Sequence, residues 1–523
     1  MLGFEGPHAR EKVVVLFTMC FALAMAMLDN TVVNVALPTI NADLNAGVSG
    51  LQWIVDGYVL AFASLLLTGG ILGDKYGRKK MFLIGLAVFT VASALCGMSQ
   101  TTEQLVAARI LQGVGGALLM PGTLSIITVT FPPHERAKAI GLWAGVSGLA
   151  LALGPTVGGL MVERIGWESV FFLNVPIGIV AFIVATVTVT ESRSEQARYL
   201  DIPGLVLGTG GLFFLTYGLI EANQLGWSDP LIVGSLVLAA VLIVAFLIAE
   251  HCNEHAMMPL SFFRIPPFSA GNTVAFSVSL GMFATFFFMS LYMQGIHGFS
   301  PFQAGVRFLP MTLAIVVTAP LAGRYASRHG SRAPMTYGLI LAGGGLLLLG
   351  LTLQSDTPTA YLLPVFLVMG HGMGATMAPM TAAVMNAVGA QRAGLGSAMT
   401  NTSREVGGVV GIALLGTVLT TQLKDAFVPA VASLGLSAEQ ATAIGAAAGH
   451  GEITPSLLVG LSPDQIAGVQ AAFVSSFMDG FHTALVIGGL VLLLAAVVAN
   501  RFIPGRDTVA EVHATSDVVA VAH

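Results

Sequence analysis

The chain has 523 residues, of which 55% are hydrophobic and only 9% charged, with a mean hydropathy of +0.84. Soluble domains carry about a quarter charged residues, so this composition excludes them and points to an integral membrane protein. The net charge of −5 is thinly spread and no basic block occurs, which argues against a nucleic-acid partner. Cys20, Cys96 and Cys252 are scattered, which predicts neither a disulfide framework nor a thiolate metal site.

About 20 apolar residues cross the ~30 Å hydrocarbon core as a helix. The opening MLGFEGPHAREK runs into an apolar segment too long for a signal peptide and without a cleavage site, so the first segment is expected to stay as a helix. In chain order, apolar segments fall near 13–37, 51–72, 81–98, 104–130, 137–161, 169–190, 203–222, 230–250, 267–293, 303–322, 334–353, 360–385, 394–420 and 480–500. With the N-terminus inside, these fourteen spans leave seventeen Lys and Arg in the inner segments and two, Arg164 and Lys424, outside. Such asymmetry is the positive-inside pattern, and it predicts both termini cytoplasmic in a multi-pass protein of the inner membrane. The excess of Arg over Lys with abundant Ala, Gly and Val has the look of a bacterial chain. The long segment 421–479 is expected outside, where SPDQIAGVQAAFVSSF (462–477) has the cap and apolar spacing of an amphipathic helix lying on the surface.

Six charged residues remain inside apolar spans: Asp29, Asp56, Arg109, Arg307, Arg404 and Glu405. At 1.5 Å per residue, Asp29 lies about 13 Å below the outer end of its helix near Pro38. Asp56 and Arg109 each lie about 8 Å below theirs. Intramembrane ionisable groups normally face a cavity or a partner, so Asp29, Asp56, Arg109 and Glu405 are the candidate proton-coupling and substrate-binding residues. Duller roles stay open: a permanent Asp29–Arg109 salt bridge, an Asp56 that snorkels to the interface beside Trp53 and Tyr58, and an interfacial Arg307. Arg404 precedes Glu405 and cannot share its face. MFATFFFMSLYM (282–293) offers either soft substrate contacts or ordinary packing.

GILGDKYGRKK (70–80) aligns without gaps on GRYASRHGSR (323–332) at a shift of 253, pairing Gly70 with Gly323, Asp74 with Ser327 and Gly77 with Gly330. Spans two to three therefore repeat as spans ten to eleven. This implies a six-helix bundle over 1–200, two inserted central helices over 201–255, a second six-helix bundle over 256–505 and a cytoplasmic tail over 506–523. Parallel repeats place a transporter's site between the halves.

The same residues resemble a known family. GILGDKYGRKK and RILQGVGGALLMP (109–121) are similar to the loop and fourth-helix signatures of the major facilitator superfamily, and GLALALGPTVGG (148–159) looks like its antiporter motif. LDNTVVNVALP (28–38), FFLNVPIGI (171–179) and NTSREVGGVVG (401–411) resemble the fourteen-helix drug/proton antiporter branch. WES at 167–169 stands where that branch usually has Trp-Arg-Trp, and Ser327 replaces the acid of the second loop motif. The resemblance implies an all-α membrane protein with two six-helix bundles and two extra helices, acting as a proton-coupled exporter of lipophilic, cationic small molecules. It also implies gating by Gly70, Asp74, Gly77 and Arg78, with Asp74 and Arg78 as a cytoplasmic charge latch, and by Gly154, Pro155 and Gly158, which let helices pack closely.

On this reading the protein is no enzyme, needs no cofactor beyond the proton gradient, and works as a monomer in the lipid bilayer. No phosphate-binding GxxxxGK[ST] loop occurs, which disfavours an ATP-driven pump. HCNEH (251–255) formally matches H-x-x-E-H but lacks a third ligand, so no metal site is expected. The alternatives are a dedicated exporter of one metabolite or antibiotic and a non-transporting sensor or assembly protein.

Overall fold

The computed structural model describes residues 9–44, 46–194, 201–253, 260–388, 392–434 and 461–505, with isolated positions between them. The 506–523 tail, most of 435–460, and Glu254 and His255 of HCNEH lie outside the described residues. Among the described residues all regular structure is helical.

The first half comprises α1 (Ala9–Leu44), α2 (Gly47–Tyr76), α3 (Arg78–Gly97), α4 (Thr102–Thr130), α5 (Pro133–Arg164), the short α6 (Glu168–Phe172) and α7 (Asn174–Thr188). The inserted pair is α8 (Ile202–Leu225) and α9 (Pro230–Cys252). The second half holds α10 (Pro266–Leu291), a π-turn at Tyr292–Ile296, α11 (Pro301–Arg307), α12 (Leu309–His329), α13 (Arg332–Thr352), α14 (Thr359–Val388), α15 (Ala393–Ala432) and α16 (Pro463–Phe502). Twelve helical segments among the described residues are long and apolar enough to cross a membrane. The expected fourteen would also need α5, with 32 residues, and α10, with 26, which are long enough but not among those twelve.

Helix starts follow local chemistry. Asp201 accepts from Gly204 N at 3.0 Å and Asp229 from Leu231 N at 2.8 Å, each ahead of a proline in the first turn. Ser300 and Ser462 form capping boxes with Gln303 and Gln465. The two repeated turns share a conformation open to glycine: Gly77 has φ 115° between α2 and α3, and Gly330 has φ 85° between α12 and α13.

The expected separate surface helix over 462–477 is corrected. That stretch is the first part of α16, which runs unbroken for 40 residues into the last span, and α15 continues to Ala432. Gly480, at the start of the expected last span, is a packing position where a Cβ would meet Leu419 O at 2.7 Å.

Within the halves, α4 packs on α2 and α3, α1 on α5, α13 on α14 and α16, and α10 on α15. The halves meet along two seams, α5 against α12 and α14, and α15 against α2 and α4. The inserted α8 and α9 pair with each other, and α8 lies against α2 and α15. In MFATFFFMSLYM, Met282, Phe288, Met289, Tyr292 and Met293 are buried in the apolar core, which is the packing role.

Candidate functional site

Glycines of the fourth-helix motif bring the polar groups together. A Cβ at Gly113 would meet Tyr58 O at 2.5 Å and one at Gly115 would meet Phe89 N at 2.5 Å, so α2 and α3 press directly on α4. Arg109, four residues before Gly113, thereby reaches across to α1. Its Nη1 donates to Asp29 Oδ2 and to Gln112 Oε1 (2.7 Å), and its Nε donates to Ile54 O at 3.0 Å. Asp29 Oδ1 also accepts from Gln112 Nε2 and Asn174 Nδ2, both at 2.8 Å, and both amides reach Ser93 Oγ. The Tyr58 ring covers the guanidinium, with Cζ 4.3 Å from its centroid. Asp29 and Arg109 are 2% and 1% exposed, so the predicted pair is a dry, saturated network inside the first half.

Asp56 and Glu405 are placed differently. Both are half-buried, and among the described residues neither accepts a hydrogen bond nor makes an ion pair. Glu405 rides on α15, the helix that meets α2 and α4 of the other half. Tyr58, whose ring covers Arg109, is itself buried at 1% exposure. Arg404 is half-buried beside Glu405. Arg307 donates to Gln303 O at 2.8 Å and covers the Phe299 ring, away from this site.

The loop motif spans the halves. Asp74 accepts from Arg78 Nε and Nη2 at 2.9 and 2.7 Å, and from Gly394 N and Leu395 N, both at 2.9 Å. The helix N-terminus that meets this acid is that of α15 in the opposite half, rather than that of the third span. Glu191 serves α3 instead, accepting from Lys79 N and Lys80 N at 3.1 Å. Gly70 allows the approach, since a Cβ there would lie 2.5 Å from both Ala398 Cβ and Gly394 O. The fifth-span glycines divide by position. Gly141 and Gly145 face Ala319, Pro320 and Val316 of α12 across the halves, whereas Gly154 and Gly158 face Thr31 and Val32 of α1 in their own half. The close packing at Gly154 and Gly158 therefore lies within the first half. Pro155 lies within α5.

The sequence model of the Major Facilitator Superfamily matches residues 19–412. The chain belongs to this superfamily. It is 37% identical over 489 residues to the "Tetracenomycin C resistance and export protein" of Streptomyces glaucescens, covering 92% of this chain and 90% of that one. It is 30% identical to the "Multidrug transporter protein MdtP" of Bacillus subtilis over 94% of this chain and 93% of that one. The "Puromycin resistance protein pur8" of Streptomyces alboniger is 37% identical over 80% of this chain and 83% of its own. The crystal structure of the human organic anion transporter MFSD10 (TETRAN) superposes with a TM-score of 0.55 at 15% identity, covering 93% of this chain and 100% of that one, and shares the fold. Members of the superfamily are transporters, and this chain is a multi-pass membrane protein.

Gln112, Asn174 and Ser93 belong to the site of this superfamily member but were invisible to a census of charges. Polar residues inside apolar spans were the available signal: Gln112 follows Arg109 by one helical turn and Asn174 sits in FFLNVPIGI. No group of three His, Cys, Asp or Glu among the described residues is placed to hold a metal ion.

Proposed function

We propose that the protein is a proton-coupled antiporter that exports lipophilic, cationic drugs across the cytoplasmic membrane of a bacterium. It acts as a monomer, with both termini inside and no cofactor beyond the proton gradient. The observation that carries the reading is Glu405, an acid without hydrogen-bonding partners among the described residues, on the helix that joins the halves. Together with Asp56 it offers carboxylates free to take up and release protons, whereas Asp29 titrates only in a state where Arg109 and the two amides let go. Asp74, Arg78, Gly70 and Gly77 hold the halves closed on one side, and Gly154, Pro155 and Gly158 set the angle of α5 on α1.

The driving force is adequate. One charge crossing 100 mV is worth about 2.3 kcal/mol, and one unit of pH gradient adds about 1.4 kcal/mol. One or two inward protons therefore drive uphill export. Relatives named for drug resistance and export support drugs as the cargo. Several of them are named for a single antibiotic, which favours a dedicated exporter as the second reading.

The test is resistance in an efflux-deficient host across a compound panel. Resistance should extend to several lipophilic cations and vanish with a protonophore or with Glu405→Gln. Resistance that survives collapse of the gradient sinks the coupling, and resistance to one compound alone selects the dedicated exporter.

A further inference from the structure

A polar notch opens on the lipid-facing surface of the second half. His371 of α14 is half-buried, and its Nδ1 lies 2.8 Å from Thr318 Oγ1 of α12. The Tyr337 ring of α13 stands across the imidazole, with centroids 5.7 Å apart and planes at 83°. Both α12 and α13 pack closely on α14 and only lightly on each other, so His371 forms the floor between them. The walls open outward: Tyr337 is 51% exposed, and Leu321 of α12 and Val368 of α14 are exposed as well. His371 Nε2 has no partner among the described residues, nor is it shut inside the protein.

The threonine fixes what that nitrogen offers. Thr318 Oγ1 has no other acceptor among the described residues, so its proton points to Nδ1 and the imidazole carries its own proton on Nε2. The other tautomer would leave both the hydroxyl proton and the Nε2 lone pair unmatched. The notch therefore presents an N–H donor to the bilayer. Along α12, Thr318 lies about 13 Å from Leu309 and about 16 Å from His329, which puts the donor near the middle of the membrane. Phospholipid oxygens begin about 15 Å from the midplane, and the acyl chains carry no acceptor.

The fold itself does not require this polarity. Gly113 and Gly370 take equivalent places in the two halves, facing Tyr58 O and Met311 O, as do Gly115 and Gly372, facing Phe89 N and Ala342 N. That register sets Val114 against His371, and the loop repeat sets Leu65 against Thr318 and Ile84 against Tyr337. Three apolar side chains in the first half thus stand where the second half has three polar ones.

We propose that His371, Thr318 and Tyr337 form a bilayer-facing site for a planar lipophilic ketone, whose carbonyl oxygen accepts from His371 Nε2 while its rings lie in the corner between imidazole and phenol. Such a molecule brings its own oxygen to mid-membrane, which a phospholipid does not. Two protein rings near a right angle fit the face and the edge of an aromatic body. The site goes beyond proton-coupled export of cations, because it takes an uncharged molecule and needs no gradient. Thr318 adjoins Ala319 and Pro320, which meet Gly141 of α5, so the occupant lies beside a seam between the halves.

The experiment uses the full chain in phospholipid nanodiscs, photolabelled with benzophenone and read by mass spectrometry. Fluorenone and fluorene, one ring system with and without the carbonyl, are the competitors. Labelling should concentrate on α12, α13 and α14 around His371. Fluorenone should displace it at about tenfold lower concentration than fluorene, the worth of one hydrogen bond made away from water. His371→Val should make the two competitors equal. Thr318→Val, which removes the hydroxyl that orients the imidazole, should reduce the preference to about threefold. Because Val114 fills the matching place in the first half, His371→Val is expected to fold.

Equal competition by fluorenone and fluorene in the wild type overturns the proposal, as does a folded His371→Val chain that keeps the preference. Labelling spread evenly around the bundle overturns it too. If His371→Val does not fold, the wild type decides, with labelling around Val114 as the internal reference: fluorenone should have no advantage there, and an equal advantage at both places overturns the site. None of these results bears on proton-coupled export.

Discussion

The two halves share a repeated loop motif, yet they use their polar groups differently. In the first half Asp29 and Arg109 are saturated by Gln112, Asn174 and Ile54 O, and Asp74 reaches out to cap α15 of the other half. In the second half Glu405 has no such shell, and Ser327, in the place of Asp74, donates to Arg324 O of its own helix at 2.8 Å. Arg332 of that second loop likewise turns inward, donating to Ile503 O and Pro504 O of its own half. On the proposed reading the first half supplies the charged frame and the latch, and the second half the loosely held acid.

The sharpest way to break the comparison is at Arg109. Arg109→Ala leaves the Asp29 carboxylate buried without its cation, which should cost about 3–5 kcal/mol. Thermal unfolding of the purified protein measures it, and adding Asp29→Asn should recover part of the loss. The matching change in the second half, Arg404→Ala, should cost less, because Arg404 is half-buried beside Glu405 and outside any such shell. Equal losses at the two arginines would remove the distinction between frame and loose acid.

Next in size is the latch. Hydrogen bonds to a charged group are worth about 1.5–3 kcal/mol each, so Asp74→Asn should open the seam by at least tenfold. Ala398→Cys, placed under Gly70 in a Cys252→Ser background, reports opening through its rate of alkylation by a membrane-impermeant thiol reagent. The two native cysteines left, Cys20 and Cys96, are buried. Ser327→Asp should leave that rate unchanged, since its loop faces Ile503 and Pro504. A Ser327→Asp chain that slows the labelling would show the second loop competent to latch.

Much of this was legible in the sequence. Most of the spans followed from apolar length and the positions of Lys and Arg, and the Asp29–Arg109 salt bridge, one of the roles left open, from two opposite charges in the outer half of the membrane. Three things did not follow. The shell of Gln112, Asn174 and Ser93 depends on where α3, α4 and α7 meet, and neutral polar residues give no topological signal. The partner of Asp74 lies 320 residues away, on a helix start marked only by Gly394. The join of 462–477 to the last span was missed because the amphipathic spacing of that stretch differs from the uniform apolar run of 480–500, although one helix carries both.

The smallest effects lie within the first loop itself, where three glycines of GILGDKYGRKK look alike in sequence and differ in space. Gly77, at φ 115°, also has the Glu191 carboxylate 2.7 Å from where a Cβ would sit, so Gly77→Ala should destabilise by about 1–2 kcal/mol from the backbone alone. Gly70→Ala should leave the fold of the first half intact and instead push α15 away, raising labelling at Ala398→Cys. Gly73 is helical, and a Cβ there would find no atom nearer than Arg78 Cα at 4.0 Å. Gly73→Ala should therefore stabilise α2 by about 0.5–1 kcal/mol, the ordinary gain of alanine over glycine in a helix. Thermal unfolding of the first and third variants, set beside the labelling rate of the second, separates backbone strain, interface contact and plain helix propensity. If all three alanines lowered stability alike, close packing throughout the loop, rather than the Asp74 latch, would be what joins the halves.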